Sequence, residues 1–334
     1  MIISRTPFRI SFFGGGTDYP VWYREHGGAV ISTSINKYCY INCRYLPPFF
    51  PYHYRIRYTK SELTQTVDEI VHPSVRECLK YMRIERGVEI QHNADLPAMS
   101  GLGSSSTFTV GLLNALYSLK GHITNKRQLA LDAVHVEQEL IGENVGSQDQ
   151  VCAAFGGFNR IAFGGPQKIL VQPLTVSDHK LTILQNHFLL LYTGFQRVAS
   201  EIVGEQIEKT PVRKPELTTM MELVEEAMNV LNHETDDMED FGRLLHEQWM
   251  VKRSLTDLIS NPVIDQMYET GRSAGATGGK LLGAGGGGFL LFFVRPEMRA
   301  KVREALRKLL HVPFRFENLG SQIIYYAPEE NHYE

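Results

Sequence analysis

Three glycine-dense stretches constrain this chain more than any other feature: Gly14-Gly15-Gly16-Thr-Asp18, Ser100-Gly-Leu-Gly-Ser-Ser-Ser106 and Gly283-Ala-Gly-Gly-Gly-Gly288. Glycine costs roughly 0.5–1 kcal/mol relative to alanine in regular structure. Runs of it beside apolar strand patterns therefore imply close approach of the backbone to something else. The first run follows a strand-like segment in which Ile2, Ile3, Phe8, Ile10, Phe12 and Phe13 are apolar. The second follows a strand-like Gly87–His92 and precedes a helical stripe of Phe108, Leu112, Leu116 and Leu119. The third lies between Lys280-Leu-Leu and Phe289–Val294. A strand follows it where a dinucleotide-binding turn needs a helix, so it reads as a hairpin connection.

The rest of the chain predicts a short helix at Val21–His26, strands from Ala29 to Tyr45, a hairpin excursion over Pro47–Tyr58 and a helix at Val71–Met82. A further helix carries Leu129, Ala133, Val134 and Leu140 at helical spacing. After an apolar strand at Phe188–Tyr192 come three long helical stretches, the first marked by Leu217, Met220, Met221, Val224, Met228 and Leu231. A helix at Glu297–Leu310 and a strand at Gln322–Tyr326 close the second half. Without a regular βαβ rhythm the class is α+β. Two domains are expected, 1–170 and 171–334, with the boundary near Pro166–Asp178.

Composition narrows the function classes. With 43% apolar and 21% charged residues the chain is a soluble globular protein, and a formal net charge of -3 gives no bulk reason to bind nucleic acid. No run approaches the ~18 apolar residues of a membrane span, and the N-terminus lacks the pattern of a signal peptide, so a cytoplasmic protein is expected. Cys39, Cys43, Cys78 and Cys152 form no CxxC pair and read as buried free thiols.

The second cluster carries the most chemistry. Opening a helix, its free amides face any anion placed there, and Ser104, Ser105 and Ser106 add hydroxyl donors, one of which can ligate Mg²⁺. It lacks the Gly-Lys-Ser/Thr of a P-loop, and a tight turn with a serine cap is the plainer alternative. Glu137 falls in an apolar stripe beside Ala133 and Ile141, where a carboxylate should be paired with a cation or a metal. Asp149 lies in Gly146-Ser-Gln-Asp-Gln150 between a helix and the apolar Val151–Phe155. Phosphoryl transfer needs a phosphate cradle, a divalent cation, a cation over the moving group and a carboxylate near the attacking hydroxyl. The serine loop, Glu137, Arg9 and Asp149 can supply these in turn.

Pro7-Phe-Arg-Ile-Ser-Phe-Phe-Gly-Gly-Gly-Thr-Asp18, Pro97-Ala-Met-Ser-Gly-Leu-Gly-Ser-Ser-Ser106 and Lys280-Leu-Leu-Gly-Ala-Gly-Gly-Gly-Gly-Phe289 resemble, in order, the three signature motifs of the GHMP kinases. The resemblance implies an N-terminal domain like that of ribosomal protein S5 and a ferredoxin-like C-terminal domain. It places ATP on the loop formed by Pro97, Ser100, Gly101, Leu102, Gly103, Ser104, Ser105 and Ser106. It assigns Mg²⁺ to Ser105 (or Ser104) with Glu137, and puts Asp149 at the acceptor hydroxyl with Arg9 beside it. Substrate contacts fall to Gly15, Gly16, Thr17, Asp18 and Gly146, with Gly285 and Gly286 on the far wall.

Within the family, the Gly15-Gly-Thr-Asp18 form departs from the Glu-His-Thr-Asp of galactokinases. Together with Gly146-Ser-Gln-Asp-Gln150 and Tyr192-Thr-Gly-Phe-Gln-Arg197 it resembles kinases of D-glycero-D-manno-heptose 7-phosphate, which phosphorylate the anomeric hydroxyl on the route to GDP-heptose for capsule and surface polysaccharide. The implied partner is a small-molecule sugar phosphate, with no nucleic acid and no membrane. Arg197 is the first candidate for the substrate's phosphate, because guanidinium matches phosphate geometry; Lys37, Arg44 and Arg57 follow it. A fucokinase, a non-catalytic ATP- and sugar-binding sensor and a mevalonate-diphosphate decarboxylase are the rival readings. Oligomeric state is left open, a homodimer included.

Overall fold

The first 45 residues form the two longest strands of the molecule, β1 (Ile2–Phe13) and β2 (Gly28–Tyr45), joined through the short helix α1 (Pro20–His26). The computed structural model describes residues 1–165, 169–195 and 199–327. From Phe8 to Phe13 every residue of β1 is buried, which explains why apolar residues there do not alternate strictly with polar ones. Next come β3 (Tyr54–Arg57), β4 (Ser61–Thr64), α2 (Pro73–Tyr81), β5 (Val88–Ala94), α3 (Ser104–Leu119), α4 (Lys126–His135), α5 (Gln148–Phe155), β6 (Phe158–Phe163) and β7 (Ile169–Pro173). The second half runs α6 (Asp178–His187), β8 (Phe188–Tyr192), α7 (Ala199–Lys209), α8 (Lys214–Asn232), α9 (Glu239–Arg253), α10 (Pro262–Ser273), β9 (Ala276–Leu281), β10 (Phe289–Val294) and α11 (Arg299–Ala305). It ends with β11 (Leu310–His311), β12 (Phe316–Glu317) and β13 (Gln322–Tyr326).

Two sheets result. The larger has the order β13-β1-β2-β5-β3-β4, with β6 and β12 also on β2 and β7 on β6; the smaller is β11-β8-β10-β9. Three expectations change here. The closing strand β13 does not belong with the second half: it pairs antiparallel to β1 in the larger sheet, Ile2 opposite Tyr326. The boundary at 170/171 cuts through β7, which pairs with β6, so the chain leaves the larger sheet only after Pro173. And the Pro47–Tyr58 excursion is partly core, since β3 lies parallel to β5 with Tyr54 and Ile56 buried.

Aromatic packing joins the sheets. The Phe12 ring of β1 stacks on Phe188 of β8 at 5.0 Å, with Phe158 and Phe241 edge-on to it at 5.9 and 5.7 Å. Rings in such geometry add ~0.5–1.5 kcal/mol per pair beyond the area they bury. The apolar cluster around Phe12 therefore spans both sheets, and a second cluster around Trp249, Tyr268 and Phe292 packs on the other face of the smaller one. The four cysteines are buried free thiols.

Candidate active site

A cleft of about 340 Å³ opens where the end of β1, the starts of α3 and α5, and the β9–β10 loop converge. Backbone contact between two glycine clusters builds it. A side chain on Gly101, at φ +82°, would lie 2.4 Å from the Leu282 carbonyl oxygen, and one on Gly283 would lie 2.4 Å from Gly101 Cα. Real Cβ atoms do not approach so closely, so only glycine at both positions lets the α3 loop dock on the β9–β10 loop.

The α3 helix begins at Ser104 behind Gly103, an N-cap with no side-chain oxygen to satisfy the first amides. Gly101, Gly103, Ser104, Ser105 and Ser106 all line the cleft. This is the anion-binding arrangement of an uncapped helix start. Of the remaining loop residues, Pro97, Ser100 and Leu102 are not among its walls. Ser100 is buried, with its backbone where any side chain on Gly288 would fall, and the Leu102 carbonyl accepts the Arg9 amide.

Arg9, on β1, ties this loop to α5. Its Nε and Nη2 each donate to one oxygen of Asp149 at 2.8 Å, and Nη1 donates to the Gly101 carbonyl at 2.8 Å. Burial opposes the guanidinium charge, but Asp149 outweighs it and the net shift is upward. Asp149 stands in the first turn of α5 and its side chain keeps 24% exposure, toward a cleft it lines. The pair is thus rigid on the Arg9 side and open on the other.

Glu137 sits on a π-helical turn at Val136–Ile141 that continues α4. Such turns recur at functional sites because they re-aim side chains. This one turns Leu140 outward, against the expectation that it packs in the helix stripe, and buries Glu137 completely. No cation meets Glu137 among the described residues. Oε2 instead accepts the Ser106 hydroxyl at 2.7 Å and the Gln150 amide, while Oε1 has no partner. Burial pushes its pKa up to about 7, with the hydrogen bonds opposing. The hydroxyl that reaches Glu137 is therefore Ser106, not Ser105, which is exposed, nor Ser104, which accepts the Met99 amide. A helix turns 100° per residue, so a one-residue shift decides which serine faces inward. A buried serine oxygen beside an orphaned carboxylate oxygen is a hard, all-oxygen donor set that suits a magnesium-type cation.

The first glycine cluster divides in two. Thr17 does not face the cleft: its hydroxyl donates to the carbonyls of Gly14 and Ala29 and accepts the Ala29 amide, which makes it a structural clasp. Asp18, Gly15 and Gly16 do line it. Asp18 is buried, raising its pKa against amide hydrogen bonds from Gly16 and Gln148. Gly146 is glycine because a side chain there would strike Asp18 Oδ2 at 1.9 Å. On the far wall Gly285 faces the cleft, whereas Gly286 gives its amide to the Ile259 carbonyl.

Two cations were not expected at the site. Lys252 of α9 and Lys280 of β9 both line the cleft, 5% and 2% exposed, donating to the carbonyls of Gly283 and Phe12 at 2.8 Å each. Burial pushes Lys252 down to about 8 and Lys280 well below its usual range. Lys280 begins the third motif and was visible there; Lys252 lies in an ordinary amphipathic helix with no local signal. Arg197 falls outside the described residues. Arg44 pairs with Glu89 on the sheet, and neither it nor Lys37 nor Arg57 is a wall of the cleft.

The geometry agrees with comparison to known proteins. The family described as GHMP kinases N terminal domain matches residues 70–157, and GHMP kinases C terminal matches residues 220–312. The D-glycero-alpha-D-manno-heptose 7-phosphate kinase of Campylobacter jejuni is 29% identical over 322 residues, 92% of this chain and 93% of that protein. The bifunctional fucokinase/GDP-fucose pyrophosphorylase of Arabidopsis thaliana is 26% identical over 88% of this chain, which spans 30% of that longer protein. A solved D-glycero-D-manno-heptose 1-phosphate kinase from Bacteriodes thetaiotaomicron superposes with a TM-score of 0.76 at 24% identity, over 98% of this chain and 100% of the other, and so shares the fold. The chain belongs to the GHMP kinases and is a phosphotransferase acting on a hydroxyl group.

Proposed function

We propose that the protein is an ATP- and Mg²⁺-dependent sugar kinase that phosphorylates the anomeric hydroxyl of D-glycero-D-manno-heptose 7-phosphate, giving the 1,7-bisphosphate for GDP-heptose and surface polysaccharide synthesis. The observation that carries the chemistry is the Arg9–Asp149–Gly101 arrangement. One guanidinium holds the carboxylate and the phosphate-loop carbonyl in a single rigid unit. The heptose substrate is supported by the Campylobacter jejuni relative, which aligns over nearly its whole length.

In this reading the free amides at the start of α3 bind the nucleotide phosphates, and Ser106 with Glu137 would hold Mg²⁺. That ion, when bound, neutralises charge on the phosphate oxygens. Asp149 accepts the hydrogen bond of the acceptor hydroxyl and orients its oxygen toward the terminal phosphorus. As the new O–P bond forms and the bond to the ADP oxygen breaks, the hydroxyl proton passes to Asp149. Arg9 keeps the carboxylate in one orientation throughout, and the Lys252 ammonium favours charge developing in a dry cleft.

The test is ADP release with Mg²⁺-ATP and a panel of heptose 7-phosphate, L-fucose, D-mannose and galactose. Turnover of heptose 7-phosphate with a product phosphorylated at the anomeric carbon is expected. Turnover of fucose alone overturns the substrate, and ATP binding without any turnover favours a sensor.

A further inference from the structure

Between Arg299 and His311 the chain carries five lysines and arginines and one carboxylate, in a protein whose formal net charge is -3. That stretch folds into α11, the turn after it and β11, which is the edge strand of the smaller sheet. An open groove of about 750 Å³ lies there, walled by Arg303, Arg307, Lys308 and His311, with Leu191 and Leu310 on its apolar side. It shares no residue with the cleft that holds Asp149.

The usual reasons for surface cations do not account for this set. Elsewhere Arg76, Arg160, Arg213, Arg243, Arg253 and Arg295 each meet a carboxylate at 2.6 to 3.3 Å. Here Glu304 pairs with Arg307 at 3.0 Å, and neither Arg303 nor Lys308 has a carboxylate partner among the described residues. A single cation offsets the C-terminal dipole of a seven-residue helix, so helix polarity does not call for the others. Behind the groove Arg299 is half-buried and held by the carbonyls of Asn186 and Phe188, so it cannot turn away. Burial and then the Arg303 charge lower its pKa; burial, then Arg303 and Arg299, lower that of His311. Like charges therefore crowd one another here, with no anion to offset them among the described residues.

The walls fix the ligand chemistry. Guanidinium forks grip phosphate oxygens through paired hydrogen bonds, and an ammonium adds a point charge. Two arginines and a lysine exceed the charge of one phosphate dianion and suit two linked phosphoryl groups. Leu310 is 65% exposed beside them, an apolar surface for the uncharged part of such a ligand. The ligand would compete with Glu304 for Arg307, but that pair is 72–73% exposed and correspondingly weak. A nucleic acid or anionic membrane fits less well. Affinity for a polyanion grows with the number of phosphates neutralised, and this patch is confined to one helix end and turn on an acidic protein. We propose that the α11–β11 groove is a second ligand site, which takes the diphosphate of a nucleoside diphosphate on Arg303 and Arg307. It stands independently of the sugar-kinase reading above.

The experiment follows the His311 ring resonances by NMR, assigned with His311→Gln, while wild type and Arg303→Ala/Arg307→Ala are titrated with inorganic pyrophosphate. Because His311 stands in the groove, its local response separates this site from anion binding in the cleft. In wild type the His311 signal should move to saturation. The Kd should rise about tenfold or more in the double variant, whose melting temperature should stay near wild type because both arginines are exposed. ADP should bind more tightly than pyrophosphate through Leu310, and the reverse order overturns the nucleoside part of the proposal. Inorganic phosphate should bind about tenfold more weakly than pyrophosphate, and equal binding overturns the two-phosphoryl chemistry. A stationary His311 signal in wild type overturns the site, as does a double-variant Kd within about twofold of wild type. A response to anionic-lipid vesicles or duplex DNA but not to pyrophosphate overturns the small ligand and makes the groove a docking surface.

Discussion

Glu137 and Asp149 lie twelve residues apart in the chain and border the same loop, yet the protein treats the two carboxylates in opposite ways. Asp149 is clamped through both oxygens by Arg9 and partly open to the cleft. Glu137 is fully buried, reached by the Ser106 and Thr109 hydroxyls and the Gln150 amide but by no cation among the described residues, and its pKa is raised. A carboxylate that must meet a hydroxyl proton benefits from a fixed orientation and an open face. A carboxylate that awaits a cation can be stored near neutral in the dry interior, since the ion itself will favour its charged form.

The sharpest way to break this contrast is Asp149→Asn. It should lower kcat by about 10²–10⁴-fold while sparing ATP binding, checked by steady-state kinetics beside nucleotide titration. An undiminished rate would remove Asp149 from the chemistry and leave the two carboxylates without distinct roles. Arg9→Lys keeps the charge but loses the fork that grips both oxygens and the Gly101 carbonyl. A fall in kcat of about tenfold or more is expected, with Mg²⁺ half-saturation unchanged, because Glu137 is not part of that clamp.

Glu137→Gln should do the reverse, raising Mg²⁺ half-saturation several-fold with a smaller effect on saturated kcat. In wild type the same half-saturation should rise as pH falls below about 7, where the carboxyl protonates, and the variant should flatten that profile. Stability carries the matching sign. The folded pKa lies above the ordinary glutamate value, so the contribution is present below about 4.5 and is lost as pH rises through about 7. Metal-free Glu137→Gln should therefore melt higher than wild type at pH 8, by about 1–3 kcal/mol in thermal or urea unfolding. Smallest in its effect on chemistry, Gly101→Ala should cost about 1–3 kcal/mol of stability by forcing the two loops apart, read as a lower melting temperature.

Much of the fold was legible because its signals are local. The strand patterns of Ile2–Phe13 and Phe188–Tyr192 and the stripe of Leu217–Leu231 each become the expected element. What failed was partnership. Residues Gln322–Tyr326 are strand-like anywhere, but their pairing with β1 spans almost the whole chain, and no neighbouring residue encodes it. Among the described residues four helices, not three, lie between β8 and β9: α7, α8, α9 and α10.

The site divides along the same line. The serine loop and Glu137 stood out because each breaks a local rule, a glycine turn before a helix and a carboxylate in an apolar stripe, whereas Arg9 and Asp149 were picked out by the needs of phosphoryl transfer and by the resemblance of the motifs. By itself the sequence determined the family, and with it a phosphotransferase acting on a hydroxyl, because the three glycine motifs are local and stand in order. Only the tertiary structure decided that Ser106 and not Ser105 faces Glu137, that Thr17 is a clasp, and that Lys252 stands over Gly15. The first depends on a π-turn's phase, the second on how β2 folds back beside the end of β1, and the third on packing of α9 against a loop more than 200 residues earlier, where the free energy lies in packing and desolvation and leaves no trace in the neighbouring sequence.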